Sequence, residues 1–489
     1  MVEIGELPPL PPRTEQAPPP AGEPRPIREL RLALVGEVRG EVEPCGCPTL
    51  PYGGFVRRQR LLDELRAAPT PLFHLDAGDT LLKGFSSERR DRDERAAAIL
   101  TLSEAVGVDV WVPGPSDLLA IGLDAIRDAP VPAVSATWAR PDGTLALPPS
   151  IVLERDGVRI GVIGLSAPPS DPGLRAQLSL VDPVDAARTA AAALPADLDL
   201  VIGLGSLSDQ EAARVAREVP ALAAILSTQG GDYDAPHVPP GASAMLIEAP
   251  DRGRYIAEVT LRLGAGPDAP LQLLPDAQRW RERLTLQQQA RQLGTPEIRA
   301  ALSAVEADFA SIGAGRNLAH LDTLPLSEAY DGPTSAGAVV EAFKDALVAS
   351  AASTAAQPPT PLEPGYASSG GCVNCHTQEF TRWTFTDHAQ AAWLSLVARD
   401  AVDDPECIAC HSTGFGEPGG FGELTGGNLR KYKAVQCEAC HGPMRGHPEA
   451  DSVHARPITV ETCVGCHDAA NSPDFDFEAY LPRASCQAP

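Results

Sequence analysis

CVNCH (372–376), CIACH (407–411), CEACH (437–441) and CVGCH (463–467) punctuate the last quarter of a 489-residue chain. Each pentad sets two thiols three positions apart, with a histidine directly after the second. That is the attachment signature of a c-type haem: the thiols bond to the two vinyl groups and the histidine takes the iron as proximal ligand. C-x-x-C pairs also build structural zinc sites, but zinc does not require a histidine at the next position four times over. Four pentads within 96 residues exclude coincidence. The expectation is four covalently attached haems c. The attaching residues are Cys372 and Cys375, Cys407 and Cys410, Cys437 and Cys440, and Cys463 and Cys466. The proximal ligands are His376, His411, His441 and His467.

Eight of the eleven cysteines are used in this way. Cys45, Cys47 and Cys486 remain, so the chain is no disulfide framework. Cys45 and Cys47, in EPCGCP, read as buried thiols or a local bond, with a soft-metal pair as the alternative. Cys486 reads as a tail thiol or a disulfide partner. Covalent haem attachment takes place outside the cytoplasmic membrane, so the expected location is the periplasm, or the outer membrane and cell surface. MVEIGELPPLPPRTEQAPPP has no basic start followed by an apolar core. The export signal is therefore expected to be missing from this sequence, or the start misplaced. No run of 18 apolar residues exists to span a membrane. A lipid anchor on an upstream cysteine stays open.

The net charge of −25 argues against nucleic acid and anionic lipid as partners, and suits a redox donor or acceptor with a basic face. Residues 1–29 begin with a proline-rich tether, with nine prolines in the first 26 positions. From Arg31 the texture changes. LALVG, PLFHLDAG, VDVWVPG, VRIGVIGL and LDLVIGLG alternate with helical stretches such as FVRRQRLLDELRAA and DQEAARVAREV, the pattern of an α/β domain. A hairpin, SAMLIEAP-DRGR-YIAEVTLRLG, is expected to close it near Gly264. This domain is assigned 30–265. A helical spacer follows at 266–350, broken at Gly294-Thr295-Pro296, then an Ala/Pro/Gly/Ser linker at 351–371 and the haem segment at 372–489.

Four irons offer eight axial positions. The haem segment holds seven histidines: the four proximal ones plus His388, His447 and His454. At most three irons can be bis-histidine, and at least one lacks a distal histidine. Ligation is the favoured reading of His388 and His447, and more weakly of His454. Met444 could substitute, although simple packing is the more frequent fate of such a methionine. An open iron would admit a small nitrogen oxide, which keeps a reductase or sensor as the alternative to an electron carrier.

The run CVNCH, WTFTDHAQAAW, CIACHSTGFGEPGGF, VQCEACHGPMRGH and CVGCHDAANSPDFDFEAY resembles the tetrahaem cytochrome c-554 family. The resemblance implies a mostly α-helical multihaem domain with little regular sheet. It also implies that His388 serves the third haem, at His441, and that His447 reaches back to the first, at His376. By the same likeness the second haem, at His411, is five-coordinate. A late histidine usual for the fourth haem is missing here, which leaves His454.

The N-terminal run LVGEVRGEVEPCGCPTLPYGGFVRRQRLLDEL, LFHLDAGDTL, WVPGPSD, LDLVIGLGSLS, AAILSTQGGD and IEAPDRGRYIAEVTL resembles the calcineurin-like metallophosphoesterases of the 5′-nucleotidase-like branch. The likeness implies a four-layer αββα sandwich. Active members hold two metal ions that activate a water. Here Glu37-Val38-Arg39 replaces Asp-x-His, and Gly114-Pro115-Ser116-Asp117 replaces Gly-Asn-His-Glu/Asp. Ser206 and the Ser227-Thr228-Gln229-Gly230 region stand where later histidines belong. Gly78-Asp79 survives, and Asp76 and Asp79 read as loop caps. An arginine in the first metal shell repels the cation. No dinuclear centre is expected, and a metal-dependent nucleotidase with auxiliary haems is the competing reading.

Overall fold

A computed structural model describes residues 26–44, 52–81, 91–169, 171–228, 236–250, 252–274, 277–312, 314–355, 365–398, 401–402, 404–422, 426–450, 453–467, 472 and 474–486. Cys45, Cys47, Gln229, Gly230 and most of the proposed tether lie outside them. The strands among these residues are, in chain order, β1 (Arg28–Val35), β2 (Leu72–Asp76), β3 (Val110–Trp111), β4 (Trp138–Ala139), β5 (Ser150–Arg155), β6 (Val158–Leu165), β7 (Ser179–Leu180), β8 (Leu200–Gly205), β9 (Ala224–Ser227), β10 (Met245–Glu248), β11 (Tyr255–Leu263), β12 (Leu271–Leu273) and β13 (Asn317–Pro325).

Period-two alternation in the strands builds a sandwich. One sheet has the order β12-β13-β11-β1-β2-β3 and the other β10-β9-β8-β6-β5. Leu30, Leu32 and Leu34 of β1, with Phe73 and Leu75 of β2, point inward to meet Ile160 and Val162 of β6 and Leu200, Ile202 and Leu204 of β8. Each such side chain, sealed from water, contributes about 2 kcal/mol. The alternate positions Ala33, Val35 and Leu72 face outward. They pack under the helices Phe55–Arg66, Arg92–Ala105 and Ser335–Ala355. On the opposite side Ile163, Leu165 and Ile225 meet Val184, Ala187 and Ala190 of the helix Pro183–Ala193, and Ala212, Val215 and Ala216 of the helix Asp209–Glu218. The spacing of those last three residues marks one apolar helical stripe. The architecture is αββα, as the sequence suggests.

Two expectations change. The presumed spacer 266–350 contributes β12 and β13 to the first sheet, where β13 pairs antiparallel with β11 from Asn317–Leu263 to Pro325–Tyr255. The helix Ser335–Ala355 belongs to the sandwich too, burying Val340, Phe343 and Leu347 in its outer layer. The helices Ala277–Gln292 and Pro296–Ile312 form a hairpin around Trp280, Val305 and Phe309, tied to the first sheet by Arg283 with Glu29 of β1 at 2.9 Å. The expected hairpin at 243–264 is absent. β10 runs parallel to β9 in one sheet while β11 runs antiparallel to β1 in the other, so the two strands belong to different layers.

The C-terminal segment is a chain of short helices, among them Thr377–Trp383, Asp387–Val397, Pro405–His411, Cys437–His441 and Phe477–Ala484. Its apolar centre is small, made of Tyr366, Leu396, Ile408, Phe421 and Tyr432. Part of the expected linker is structural. Tyr366 is buried there, and the amides of Ala367 and Ser368 donate to the Glu438 carboxylate at 2.8 and 2.6 Å. The helix Ser335–Ala355 joins the two halves. Lys344 Nζ lies 3.3 Å from Glu43 of the sandwich and 3.4 Å from Asp404, three residues before Cys407.

Candidate functional site

The pentads fold as single helical turns. His376 N donates to Cys372 O at 2.9 Å, and His467 N donates to Cys463 O at 2.8 Å. This winding puts thiols at i and i+3 on one face, with the histidine just beyond. In the second and third pentads the whole motif lies in a helix, Pro405–His411 and Cys437–His441. The thiols of Cys372 and Cys437 lie near enough to perturb each other, so the first and third attachment sites are neighbours. The Cys437 thiol is pushed up by Cys372 and by burial.

The histidines fall into two facing pairs. The rings of His376 and His447 have centroids 6.4 Å apart with planes 24° from parallel. Those of His388 and His467 are 5.9 Å apart at 46°. One iron bound to both rings through metal–nitrogen bonds of about 2 Å holds such centroids roughly 6 Å apart. Burial, then the neighbouring His467, pushes His388 below the usual imidazole range, favouring the neutral, ligating form. His411 turns its Nδ1 to the Ala392 carbonyl, with Ser395 Oγ 3.3 Å away, which leaves Nε2 for metal. Among the described residues no second histidine ring packs against His411 or His441, and His454 is exposed. The resemblance assigned His388 to the His441 site. In the structure its ring packs beside that of His467, while its carbonyl accepts from Val435 N at 3.2 Å, two residues before Cys437.

These residues fit haem. Phe385, Leu394 and Val397 are 78%, 63% and 55% exposed around the pentads. Apolar groups that open, within the pentad-bearing segment, match surface that a macrocycle would cover. Bound there through thioethers and imidazole, haem c supplies one-electron chemistry. The chain's own part is to fix imidazole tautomers, spacing and burial.

Residues 371–442 match the family profile described as "Cytochrome c554 and c-prime". The C-terminal segment is similar to cytochrome c-554. The cytochrome c-554 of Nitrosomonas europaea is 33% identical over an alignment of 89 residues, with 15% of this chain and 37% of that one covered. The chain thus spans little more than a third of the curated relative it matches. Solved structures similar to the sandwich include a 5′-nucleotidase precursor from Thermus thermophilus. It is 17% identical, covers 73% of this chain and 66% of that one, and has a TM-score of 0.47. The sulfate thiohydrolase SoxB of Thermus thermophilus is also 17% identical, covers 71% and 64%, and has a TM-score of 0.48.

At the carboxyl ends of β1, β2 and β3 lies the second constellation. Three non-glycine residues adopt left-handed backbone there: Glu37 at φ 44°, Arg39 at 52° and Asp79 at 54°. Such concentrated strain persists only where surrounding bonds over-determine it. The bonds are present. Glu37 N donates to Gly78 O at 2.7 Å, Arg39 N to Asp79 O at 3.1 Å, and Arg252 N to Glu37 O at 2.7 Å. Gly78 has no room for a side chain, since an added Cβ would strike Val112 O and Gly114 N.

The carboxylates here are occupied. Asp76 Oδ1 accepts from Gly78 N at 2.9 Å and Thr80 Oγ1 at 2.8 Å. Asp79 Oδ1 accepts from Ser116 N at 2.8 Å. Asp117 accepts four amides: Asp79, Thr80 and Leu81 at 2.8 Å and Gly114 at 2.9 Å. Burial, then Asp79, pushes Asp117 up to about 8 against those donors. Burial raises Asp79 as well, and Arg39 pulls it back. The Arg39 guanidinium pairs with Glu37, so a fixed positive charge stands among these carboxylates. Among the described residues no group of three or more His, Cys, Asp or Glu side chains is placed to hold a metal ion.

Arg58 was not singled out from the sequence. It is buried beside Asp76, with Nε and Nη1 unpartnered and its guanidinium 4.3 Å from the Phe55 ring centre. Burial lowers it to about 10, and Asp76 opposes the shift. The visible signal was an arginine on the stripe Phe55, Arg58, Leu61, Leu62, where a hydrophobe belongs. Replacing Asp117 by alanine strands four amides at once, and should cost about 3–5 kcal/mol in denaturant unfolding of the sandwich. A loss under about 1 kcal/mol would mean that the loops stand without it.

Proposed function

We propose that this chain is an exported multihaem cytochrome that transfers electrons through four covalently bound haems. The αββα domain then acts as a scaffold or docking module without a dinuclear metal centre. The facing imidazole pairs support the reading most. Two irons gripped from both sides, His376 with His447 and His388 with His467, are built to change charge with little rearrangement. The adjoining Cys372 and Cys437 sites suit short edge-to-edge transfer. Lys344, between Glu43 and Asp404, fits a fixed mount of the cytochrome on the sandwich. Its partners are then a redox donor and acceptor. Among the described residues no helix is long and apolar enough to cross a membrane. The periplasm or cell surface is the proposed location, following from where haem is attached.

A pyridine haemochrome assay should count four haems per chain, and Cys463→Ala with Cys466→Ala should lower the count by one. An unchanged count would remove the fourth site from the proposal. A second reading concerns His411, whose ring is anchored from behind at Ala392 and has no facing imidazole among the described residues. An open iron there would bind a small nitrogen oxide. Nitric oxide should then shift a high-spin signal amounting to a minority of the haem. A spectrum without any high-spin component would rule this reading out.

A further inference from the structure

Resting on the four-haem reading, we propose that Ser395 is a positioning residue for the second haem, setting its potential through the carbonyl that it shares with the proximal ligand His411. The helix Asp387–Val397 backs this imidazole, whose Nδ1 is bonded to Ala392 O. With Nε2 given to iron, Nδ1 carries the ring proton and is the donor. Ser395 Oγ donates to the same oxygen at 2.8 Å and stands 3.3 Å from His411 Nδ1. Two donors from different helices thus converge on one carbonyl.

The packing of the two helices holds this triangle. Leu396 and Trp393 join the same apolar centre as Ile408 of the helix Pro405–His411, and the Trp393 ring lies 6.1 Å from that of Phe421. A serine hydroxyl that bonds back to its own helix is ordinary. Here the carbonyl it chooses also carries the proximal ligand of a haem site. Ser395 is half-buried, so bulk water does not replace its hydroxyl freely. His388, Ala392 and Ser395 follow at i, i+4 and i+7, one face of the helix. That face sets His388 beside His467 at one end and the Ala392–Ser395 pair against His411 at the other.

A ligating imidazole that donates from its other nitrogen becomes more basic toward the metal. Greater basicity favours ferric over ferrous iron and lowers the potential. The strength of the donation follows the electron density on Ala392 O. The Ser395 hydroxyl occupies one lone pair of that oxygen and draws density from it. It therefore weakens the bond from His411 and holds the potential of this haem up.

Spectroelectrochemical titration of the full-length holoprotein, with its haems counted, tests the assignment. Ser395→Ala should keep all four haems and lower the midpoint of one. At fixed potential the oxidised-to-reduced ratio of that haem should rise by about three- to tenfold, the worth of one neutral hydrogen bond. Ser395→Thr, which keeps the hydroxyl, should restore the wild-type midpoint. With Cys407→Ala and Cys410→Ala removing the second haem, Ser395→Ala should move none of the remaining midpoints. Four unmoved midpoints in Ser395→Ala overturn the proposal, as does a shift to higher potential. Equal shifts in Ser395→Ala and Ser395→Thr reduce Ser395 to packing and overturn it too. A wild-type count of four with no response to Ser395→Ala sinks this inference alone. A lower count, with the Cys407 peptide unmodified, sinks the four-haem reading as well.

Discussion

Phosphate release from AMP with added manganese should stay at the uncatalysed background. Active enzymes of this chemistry gain at least about 10⁶-fold over that background, so the expected deficit is the largest difference to be measured on the protein. Two-metal hydrolysis needs carboxylate and imidazole donors that are free to coordinate. In this chain the surviving carboxylates have other tasks. Asp76 caps its own loop through Gly78 and Thr80, Asp79 holds Ser116, and Asp117 satisfies four amides. Arg39 brings a fixed positive charge to the same loops, paired with Glu37 and acting on Asp79. A divalent ion entering there would face that guanidinium at close range. Manganese-stimulated release of phosphate that disappears in Asp79→Asn would overturn the scaffold reading. Heat evolved on titrating manganese into the holoprotein, absent in Asp79→Asn, would count against it too.

What could be read from the sequence follows how local the determining forces are. A pentad is one helical turn, so its thiols and histidine are placed by neighbours alone. β1, β2, β6 and β8 were visible because each buries alternating hydrophobes on a sheet face. β13 was not visible. NLAHLDTLP carries His320 and Asp322 within the strand and follows two long helices, and only pairing with β11 selects the extended form. The DRGR turn misled for a related reason. A turn sequence specifies a reversal, but whether Met245–Glu248 pairs with β11 or with β9 is settled by distant residues. His388 shows the same limit in the candidate site. Its role as a spare imidazole was countable, but which iron it faces depends on how the helix Asp387–Val397 docks.

The haem-free protein should keep its sandwich and lose its C-terminal fold. The forces differ sharply between the halves. The sandwich has three apolar layers, between the sheets and on both outer faces. The C-terminal segment rests on five buried anchors, Tyr366, Leu396, Ile408, Phe421 and Tyr432. Each ordered residue costs about 1–2 kcal/mol of backbone entropy, which anchors worth about 2 kcal/mol each cannot offset over such a length. Its helices are mostly one or two turns, too short to persist in water by themselves. The missing term would be the apolar area of attached macrocycles, and side chains such as Phe385 and Leu394 stand exposed without it. Changing all eight pentad cysteines to alanine should therefore lower the far-ultraviolet helical signal. It should also open the chain to protease beyond residue 365, while the sandwich survives as a resistant fragment. Asp117→Ala in the same background should weaken only that fragment, since its four amides lie wholly within the sandwich. If the haem-free chain resisted protease throughout, with the helical signal of the holoprotein, the C-terminal segment would own a core independent of haem. The facing imidazoles would then be organised by the polypeptide before any iron arrives.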